Sequence, residues 1–67
     1  MIRITVNGEQ REIDGPATIA DFLERHALNA RMVVVEHNSA IVPRDRYSEV
    51  TLSEDDNLEI VQMMAGG

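Results

Sequence analysis

The sequence predicts a small α+β domain in which one helix packs across one face of a mixed sheet of four to five strands. Two observations predict it. Strand-like segments lie near both ends of the chain, an alternating one at 2–7 and a strongly apolar one at 58–64, and the one segment with helical periodicity lies between them. The 67 residues leave room for one domain. A domain of this size buries only about 60% of its unfolded surface, so most large aliphatic side chains are needed in the core.

The first predicted element is a hairpin. Ile2, Ile4 and Val6 alternate with polar residues, as in a strand with one buried face. The Asn-Gly pair at 7–8 favours a tight turn with positive φ angles. The returning segment, 9–14, contains a single large apolar residue. We therefore expect it to be an edge strand.

A helix is predicted over residues 18–27, with Thr18 as its N-cap. Asp21 occupies the position where a capping box prefers Glu or Gln, so we expect an imperfect box. The apolar face follows the i, i+3, i+4, i+8 spacing and consists of Ile19, Phe22, Leu23 and Ala27. This face should lie on the sheet.

Two short strands are expected after the helix. Residues 32–37 include three consecutive valines, which favour a strand, and residues 40–42 form a return strand that Pro43 ends. The segment that follows is irregular, with Tyr47 and Val50 as inward anchors. The sheet is then expected to continue beyond a polar turn.

That polar turn spans residues 53–57, and a last strand is predicted over 58–64. Leu58 and Ile60 should share one face of this strand, with Val61 and Met63 on the other. We expect an ordered domain over 1–64 and a flexible C-terminal tail over 65–67. The strand that precedes this tail should be central in the sheet.

Composition narrows the possible functions. Twelve acidic residues against six arginines give a formal net charge of −6, whereas a nucleic-acid-binding protein gathers positive charge. The absence of cysteine excludes disulfides, thiolate metal sites and cysteine nucleophiles. There is no signal-peptide pattern and no apolar run of membrane-spanning length. The expectation is a cytoplasmic protein that binds neither nucleic acid nor membrane.

The sequence does not suggest an enzyme or a metal site. His26 is interpreted as a residue at the helix end, and His37 as a partly buried or hydrogen-bonded residue at a strand end. The acidic run 54–56 lacks the spacing of a calcium loop and is interpreted as a solvated turn. No further ligands stand at metal-binding spacing near either histidine.

The remaining candidate is the diglycine Gly66-Gly67, with a carboxylate on Gly67. Glycine lacks Cβ, so it leaves a carbonyl carbon open to attack and lets the backbone approach a partner closely. Three extended residues reach about 10 Å, enough to carry the carboxylate into another protein's active site. The alternative is an incidental tail, because many domains end in a few disordered residues.

These features resemble a known family. The element order, the size and the diglycine are similar to the ubiquitin-like β-grasp fold. Within it, residues 38–44, which include Ile-Val-Pro-Arg, together with Tyr47 and the ending 60–67, resemble the ThiS family of thiamine-biosynthesis sulfur carriers. Two positions depart from the family pattern. Tyr47 stands where members often have Trp, and Ala65 precedes the diglycine where some have Gly.

The resemblance implies a carrier and not an enzyme. A ThiF-like activating enzyme, using ATP and magnesium, would adenylate the Gly67 carboxylate. Sulfur from a donor of the cysteine desulfurase type would then convert it to a thiocarboxylate. A ThiG-like thiazole synthase would receive the sulfur. No cofactor would be bound by the carrier itself.

In this interpretation Gly67 is the covalent acceptor, and Gly66 with Ala65 forms the arm that enters the partner. Val61 and Met63 are candidates for a partner-binding patch, although their face could also be partly covered. Arg44 is a third candidate for partner binding, with a salt bridge inside its own domain as the alternative.

Other functions remain open at this point. A molybdopterin-type sulfur carrier has the same fold and the same ending. A ubiquitin-like modifier would join Gly67 to lysines of target proteins through an amide. A non-catalytic β-grasp interaction module would have no use for the diglycine.

Overall fold

In the computed structural model, which describes residues 1–63, one helix covers one face of a five-stranded sheet. The strands are β1 (Ile2–Val6), β2 (Glu9–Ile13), β3 (Val33–His37), β4 (Ala40–Val42) and β5 (Asn57–Gln62), and the helix α1 spans Ile19–Arg25. Short 3-10 helices occupy Ala30–Met32 and Arg44–Arg46. The predicted α+β class is confirmed, whereas the boundary at residue 64 and the tail 65–67 lie outside the described residues.

The strand order is β2-β1-β5-β3-β4. β1 runs parallel to β5, and the other neighbouring pairs are antiparallel, so the sheet is mixed as predicted. β2 is an edge strand, as its few apolar residues indicated. β5 lies between β1 and β3, which confirms that the strand preceding the predicted tail is central.

The core lies between α1 and one face of the sheet. Strand residues facing the helix alternate with exposed ones, because successive side chains of a strand point to opposite faces. The core is almost entirely aliphatic, with Phe22 and Tyr47 as its only aromatic members among the described residues. Its buried apolar residues are Ile4, Val6, Ile13, Ala17, Ile19, Phe22, Leu23, Val33, Val35, Tyr47, Leu52, Leu58 and Ile60.

The N-terminus of α1 is fully capped. The Asp21 N–H donates to the Thr18 hydroxyl at 3.1 Å, and the Thr18 N–H donates to the Asp21 carboxylate at 2.9 Å. The second bond also holds the pKa of the Asp21 carboxyl below its ordinary value. The expectation of an imperfect box was wrong, because the shorter Asp side chain still reaches the N-cap N–H.

The first turn of α1 is also tied to the irregular segment before β5. The Ile19 N–H donates to the Val50 carbonyl at 3.0 Å, and the Ala20 N–H donates to the Tyr47 carbonyl at 2.9 Å. These bonds satisfy two of the donors that a helix leaves free at its start. Tyr47 is buried and Val50 is partly buried, which confirms both as inward anchors.

The helix ends earlier than predicted. Ala27 lies beyond the last turn, exposed and with a φ of 56°, so its assignment to the apolar face was wrong. The Leu28 N–H donates to the Leu23 carbonyl at 2.8 Å, and the Ala27 N–H donates to the Glu24 carbonyl at 3.1 Å. This is a Schellman motif, in which the residue after the cap takes the left-handed conformation. Leu28, and not Ala27, therefore packs against the core.

Candidate functional site

The end of β5 is the described element nearest in sequence to the predicted acceptor. Leu58 and Ile60 are buried under α1, whereas Val61 is 61% exposed and Met63 is 47% exposed. The predicted division of β5 into two faces is therefore confirmed. The two exposed side chains lie on the face of the sheet that the helix does not cover.

Asn7 holds this end of β5 in place. Its Nδ2 donates to the Ile60 carbonyl at 3.1 Å, and the Ile60 N–H donates to its Oδ1 at 2.7 Å. The Asn7 N–H also donates to the Leu58 carbonyl at 2.9 Å. The side-chain amide thus continues the β1–β5 ladder by one step after β1 has turned into the hairpin. On the other side of β5, the Met63 N–H donates to the Met32 carbonyl at 2.7 Å.

The uncovered face of the sheet carries an apolar cluster, which we call the open-face patch. It consists of Val34, Ile41, Val61 and Met63, four of the five large hydrophobic residues that are exposed among the described residues. Val34 lies directly opposite Val61 across the β3–β5 pair. Val61 and Met63 were predicted from the sequence, whereas Val34 and Ile41 were not. Val34 could have been found from its alternation with the buried Val33 and Val35.

The turn before β5 is built around a buried carboxylate. Asp56 is only 9% exposed, so the interpretation of the acidic run as a solvated turn was wrong at this residue. Its Oδ2 accepts from the Ser53 N–H at 2.8 Å and lies 2.8 Å from the His37 Nε2, and its Oδ1 accepts from the Asn38 side chain at 3.1 Å. His37 is hydrogen-bonded and half-buried, as predicted.

The same contacts determine how Asp56 titrates. Burial disfavours the ionised carboxylate, but the hydrogen bonds from His37, Asn38 and Ser53 outweigh burial and hold the pKa of Asp56 below its ordinary value. The ionised Asp56 therefore joins the β3–β4 turn to the start of β5. A second bond strengthens this junction, because the Asn57 N–H donates to the Asn38 Oδ1 at 2.8 Å.

Arg44 belongs to a different surface from the open-face patch. It is exposed and lines a groove on the helix side of the sheet, together with Leu23, Glu24 and Leu28. Among the described residues, Arg44 forms no ion pair. The structure therefore does not bring Arg44 together with Val61 and Met63, and its role as a partner contact stays a prediction.

A separate groove of about 320 Å³ lies beside the end of β5, on the helix side. Its floor is apolar, with Phe22 and Ile60, and Arg11 and Gln62 lie along it. Over residues 1–63, no cluster of three His, Asp or Glu residues is arranged to hold a metal ion. The helices within the same range are too short or too polar to cross a membrane.

The predicted acceptor and arm, Gly67, Gly66 and Ala65, lie outside the described residues. Their roles stay predictions. The structure describes what precedes them, a central strand that is hydrogen-bonded on both sides and bordered by an apolar patch.

The sequence model of the ThiS family matches residues 4–67. The chain is 42% identical over 50 residues to the sulfur carrier protein ThiS of Bacillus subtilis. This alignment covers 75% of the chain and 76% of the Bacillus protein. It is also 35% identical over 66 residues to a thiazole synthase of Paramagnetospirillum magneticum, a match that covers 98% of this chain. The chain spans about a fifth of the length of that synthase, 20%.

A solved structure agrees with these sequence matches. The crystal structure of the thiamine biosynthesis protein ThiS from Geobacter metallireducens superposes with a TM-score of 0.83 at 28% identity. The superposition covers 98% of this chain and 100% of that one. This similarity, together with the strand order, confirms the ubiquitin-like β-grasp fold.

Proposed function

The chain belongs to the ThiS family, and from this premise we propose that it is the sulfur carrier of thiamine biosynthesis. The observation that carries the proposal is the extent of the family match, which runs over residues 4–67 and so includes Gly66 and Gly67. The proposed working group is the Gly67 carboxylate. The chain is a protein substrate of other enzymes in this scheme and catalyses nothing itself.

The proposed chemistry has two stages. In the first, a Gly67 carboxylate oxygen attacks the α-phosphorus of ATP bound with magnesium to a ThiF-like activating enzyme. Pyrophosphate leaves, and the carboxylate becomes an acyl adenylate. This step converts a poor electrophile into one that a sulfur nucleophile can attack.

In the second stage, a persulfide on a sulfur donor of the cysteine desulfurase type attacks the activated carbonyl carbon. AMP leaves, and an acyl disulfide forms. A second thiol then cleaves the sulfur–sulfur bond, is itself oxidised to a disulfide with the donor, and leaves a thiocarboxylate on Gly67. A ThiG-like thiazole synthase takes up this sulfur, in keeping with the thiazole synthases that the chain resembles.

The described structure supports this role through the placement of β5. Four residues follow Met63 in the sequence, and four extended residues reach at most about 14 Å. These four residues follow the central strand β5, so the segment that carries the acceptor would start from a well-fixed position in the sheet. Glycine at 66 and 67 offers no Cβ to obstruct a narrow channel in the partner.

We place partner docking on the open-face patch, with Val61 and Met63 as its nearest members to the acceptor in sequence. Exposed apolar side chains grouped on one face are typical of protein-binding surfaces. Arg44 is proposed as a contact on a second surface, on the helix side. The proposed location is the cytoplasm, and neither nucleic acid nor membrane is a proposed partner.

Intact-protein mass spectrometry tests the proposal. The chain is incubated with ATP, magnesium, the activating enzyme and a sulfur donor from the same organism. We expect one oxygen to be replaced by one sulfur, and we expect the variant lacking Gly67 to remain unmodified while it unfolds at the same urea concentration. Modification of the shortened variant would overturn the proposal.

The same mass-spectrometry experiment tests the modifier function, because higher-mass conjugates joined through lysines would identify a ubiquitin-like modifier. A growth experiment separates the two carrier pathways. In a strain without the gene, we expect thiamine to restore growth. Rescue by a molybdopterin-dependent product and not by thiamine would identify the molybdopterin-type carrier.

A further inference from the structure

Two glutamates face each other inside the open-face patch. Glu36 of β3 and Glu59 of β5 are direct cross-strand partners, two register positions from the Val34–Val61 pair and therefore on the same face of the sheet. Both point away from α1, because the neighbouring Val35, Leu58 and Ile60 are buried beneath it. Ile41 lies opposite Glu36 on the other side, so apolar side chains flank the two carboxylates.

This arrangement is unfavourable in the free protein. Side chains directly opposite each other on neighbouring strands lie about 5.5 Å apart at Cβ, and like charges in that position destabilise the pair. No cation relieves the repulsion within residues 1–63, where neither Glu36 nor Glu59 belongs to an ion pair. Six arginines are present in the chain, yet the described ion pairs use only Arg11 and Arg46.

We propose that Glu36 and Glu59 form a clamp for an arginine of the activating enzyme, which docks on the open-face patch. This inference rests on the proposed function and identifies how the carrier is recognised. A guanidinium carries five N–H donors in a rigid plane, so one arginine can bond two carboxylates placed side by side. The four apolar side chains of the patch exclude water around that contact.

Charge complementarity favours the activating enzyme as the occupant. An enzyme that adenylates a carboxylate gathers positive charge around the triphosphate of ATP and its magnesium ion. The carrier has a net charge of −6, which steers it toward such a surface. Glu36 and Glu59 would then fix the orientation of the docked carrier, since a cation between them relieves the repulsion of both.

The clamp has an unusual signature, because stability and affinity should change in opposite directions. Neutralising either carboxylate removes the cross-strand repulsion, so Glu36→Gln or Glu59→Gln should unfold at a higher temperature than the wild type. The same change removes half of the arginine site. We expect each variant to bind the activating enzyme roughly tenfold more weakly.

Asp55→Asn is the matched control. Asp55 is an exposed residue of the turn before β5, outside the open-face patch and the Arg44 groove, and its replacement changes the net charge by the same amount. Dissociation constants are measured for the activating enzyme, without ATP, at two salt concentrations. We expect the clamp variants to lose more affinity than Asp55→Asn, and we expect their affinity to depend less on salt.

The opposite results are equally clear. The clamp is overturned if Glu36→Gln and Glu59→Gln bind as tightly as Asp55→Asn. If the wild-type protein still forms the thiocarboxylate, the proposed function stands. Loss of binding to the thiazole synthase, with binding to the activating enzyme retained, also overturns the proposal. Absence of the thiocarboxylate from the wild type removes the proposed function and this inference with it.

Discussion

Asn7 and Ile60 are 53 positions apart in the sequence, and the Asn7 amide exchanges two hydrogen bonds with the Ile60 main chain. Asn7 has a φ of 50° and is the first residue of the tight turn between β1 and β2. One residue therefore shapes the hairpin and also fixes the strand that precedes the proposed acceptor. Two substitutions separate these roles.

Asn7→Gly should lower the free energy of unfolding by about 1–2 kcal/mol, because it keeps the positive φ but removes both hydrogen bonds to Ile60. Asn7→Asp tolerates the same φ and keeps the acceptor for the Ile60 N–H, but its second carboxylate oxygen would face the Ile60 carbonyl oxygen. It should therefore also be less stable than the wild type. Urea unfolding followed by circular dichroism measures both. Equal stability of Asn7→Gly and the wild type would contradict a role for the amide.

Ala27→Gly should raise the free energy of unfolding by about 0.5–1 kcal/mol. Ala27 adopts a φ of 56°, which is costly for a residue with Cβ and free of strain for glycine. The control is Ala20→Gly inside α1, which should lower the free energy of unfolding by a similar or greater amount. A loss of stability at both positions would show that Ala27 is not strained.

Asp56 should make the domain sensitive to acid. The pKa of its carboxyl is lower in the folded protein than its ordinary value of 3.8, so ionised Asp56 stabilises the fold above that pH. This contribution should disappear as the pH falls below about 3.8 and through the lower pKa of the folded state. This loss is measured as the change in the free energy of unfolding between about pH 2 and pH 7, which spans the usual carboxyl titration.

Asp56→Asn should remove most of this loss of stability at low pH. At pH 7 it should lower the free energy of unfolding by roughly 1.5–3 kcal/mol, because hydrogen bonds to a charged group are lost. Asp55→Asn is the control, because Asp55 is exposed and its φ of 69° suits Asn equally well. If the free energy of unfolding of Asp56→Asn still falls at low pH as it does in the wild type, carboxylates other than Asp56 cause the acid sensitivity.

The open-face patch gives a prediction for partner binding. Replacing Val61 by Thr and Met63 by Gln together should weaken binding to the activating enzyme roughly tenfold, with the free energy of unfolding changed by less than about 1 kcal/mol. Gln62→Thr alters the same strand but on the helix side, and it should bind as the wild type does. Isothermal titration calorimetry measures all three proteins. Equal binding by the double variant would exclude Val61 and Met63 from the interface.

The sequence was sufficient wherever a local pattern decided the structure. Alternation placed Leu58 and Ile60 inside and Val61 and Met63 outside, and a single apolar residue marked β2 as an edge strand. The core side of α1 followed from helical spacing as far as Leu23. In each case the signal came from residues within a few positions of one another.

Features that depend on distant contacts could not be predicted in this way. The pattern around Asn7 indicated its turn but not its bonds to Ile60. Asp56 resembled its exposed acidic neighbours, because its partners His37 and Asn38 come from another hairpin. The early end of α1 depends on Leu28 packing against the core, which places Ala27 outside the helix.

The central position of β5 has a mechanical consequence. Under the proposed function, a partner that holds the end of the chain would transmit force to β5, a strand bonded along both edges, to β3 on one side and to β1 and Asn7 on the other. Such bonds share the load, whereas those of an edge strand break in succession. Force applied to the chain beyond Met63 would therefore be resisted by both neighbours of β5 and not by one.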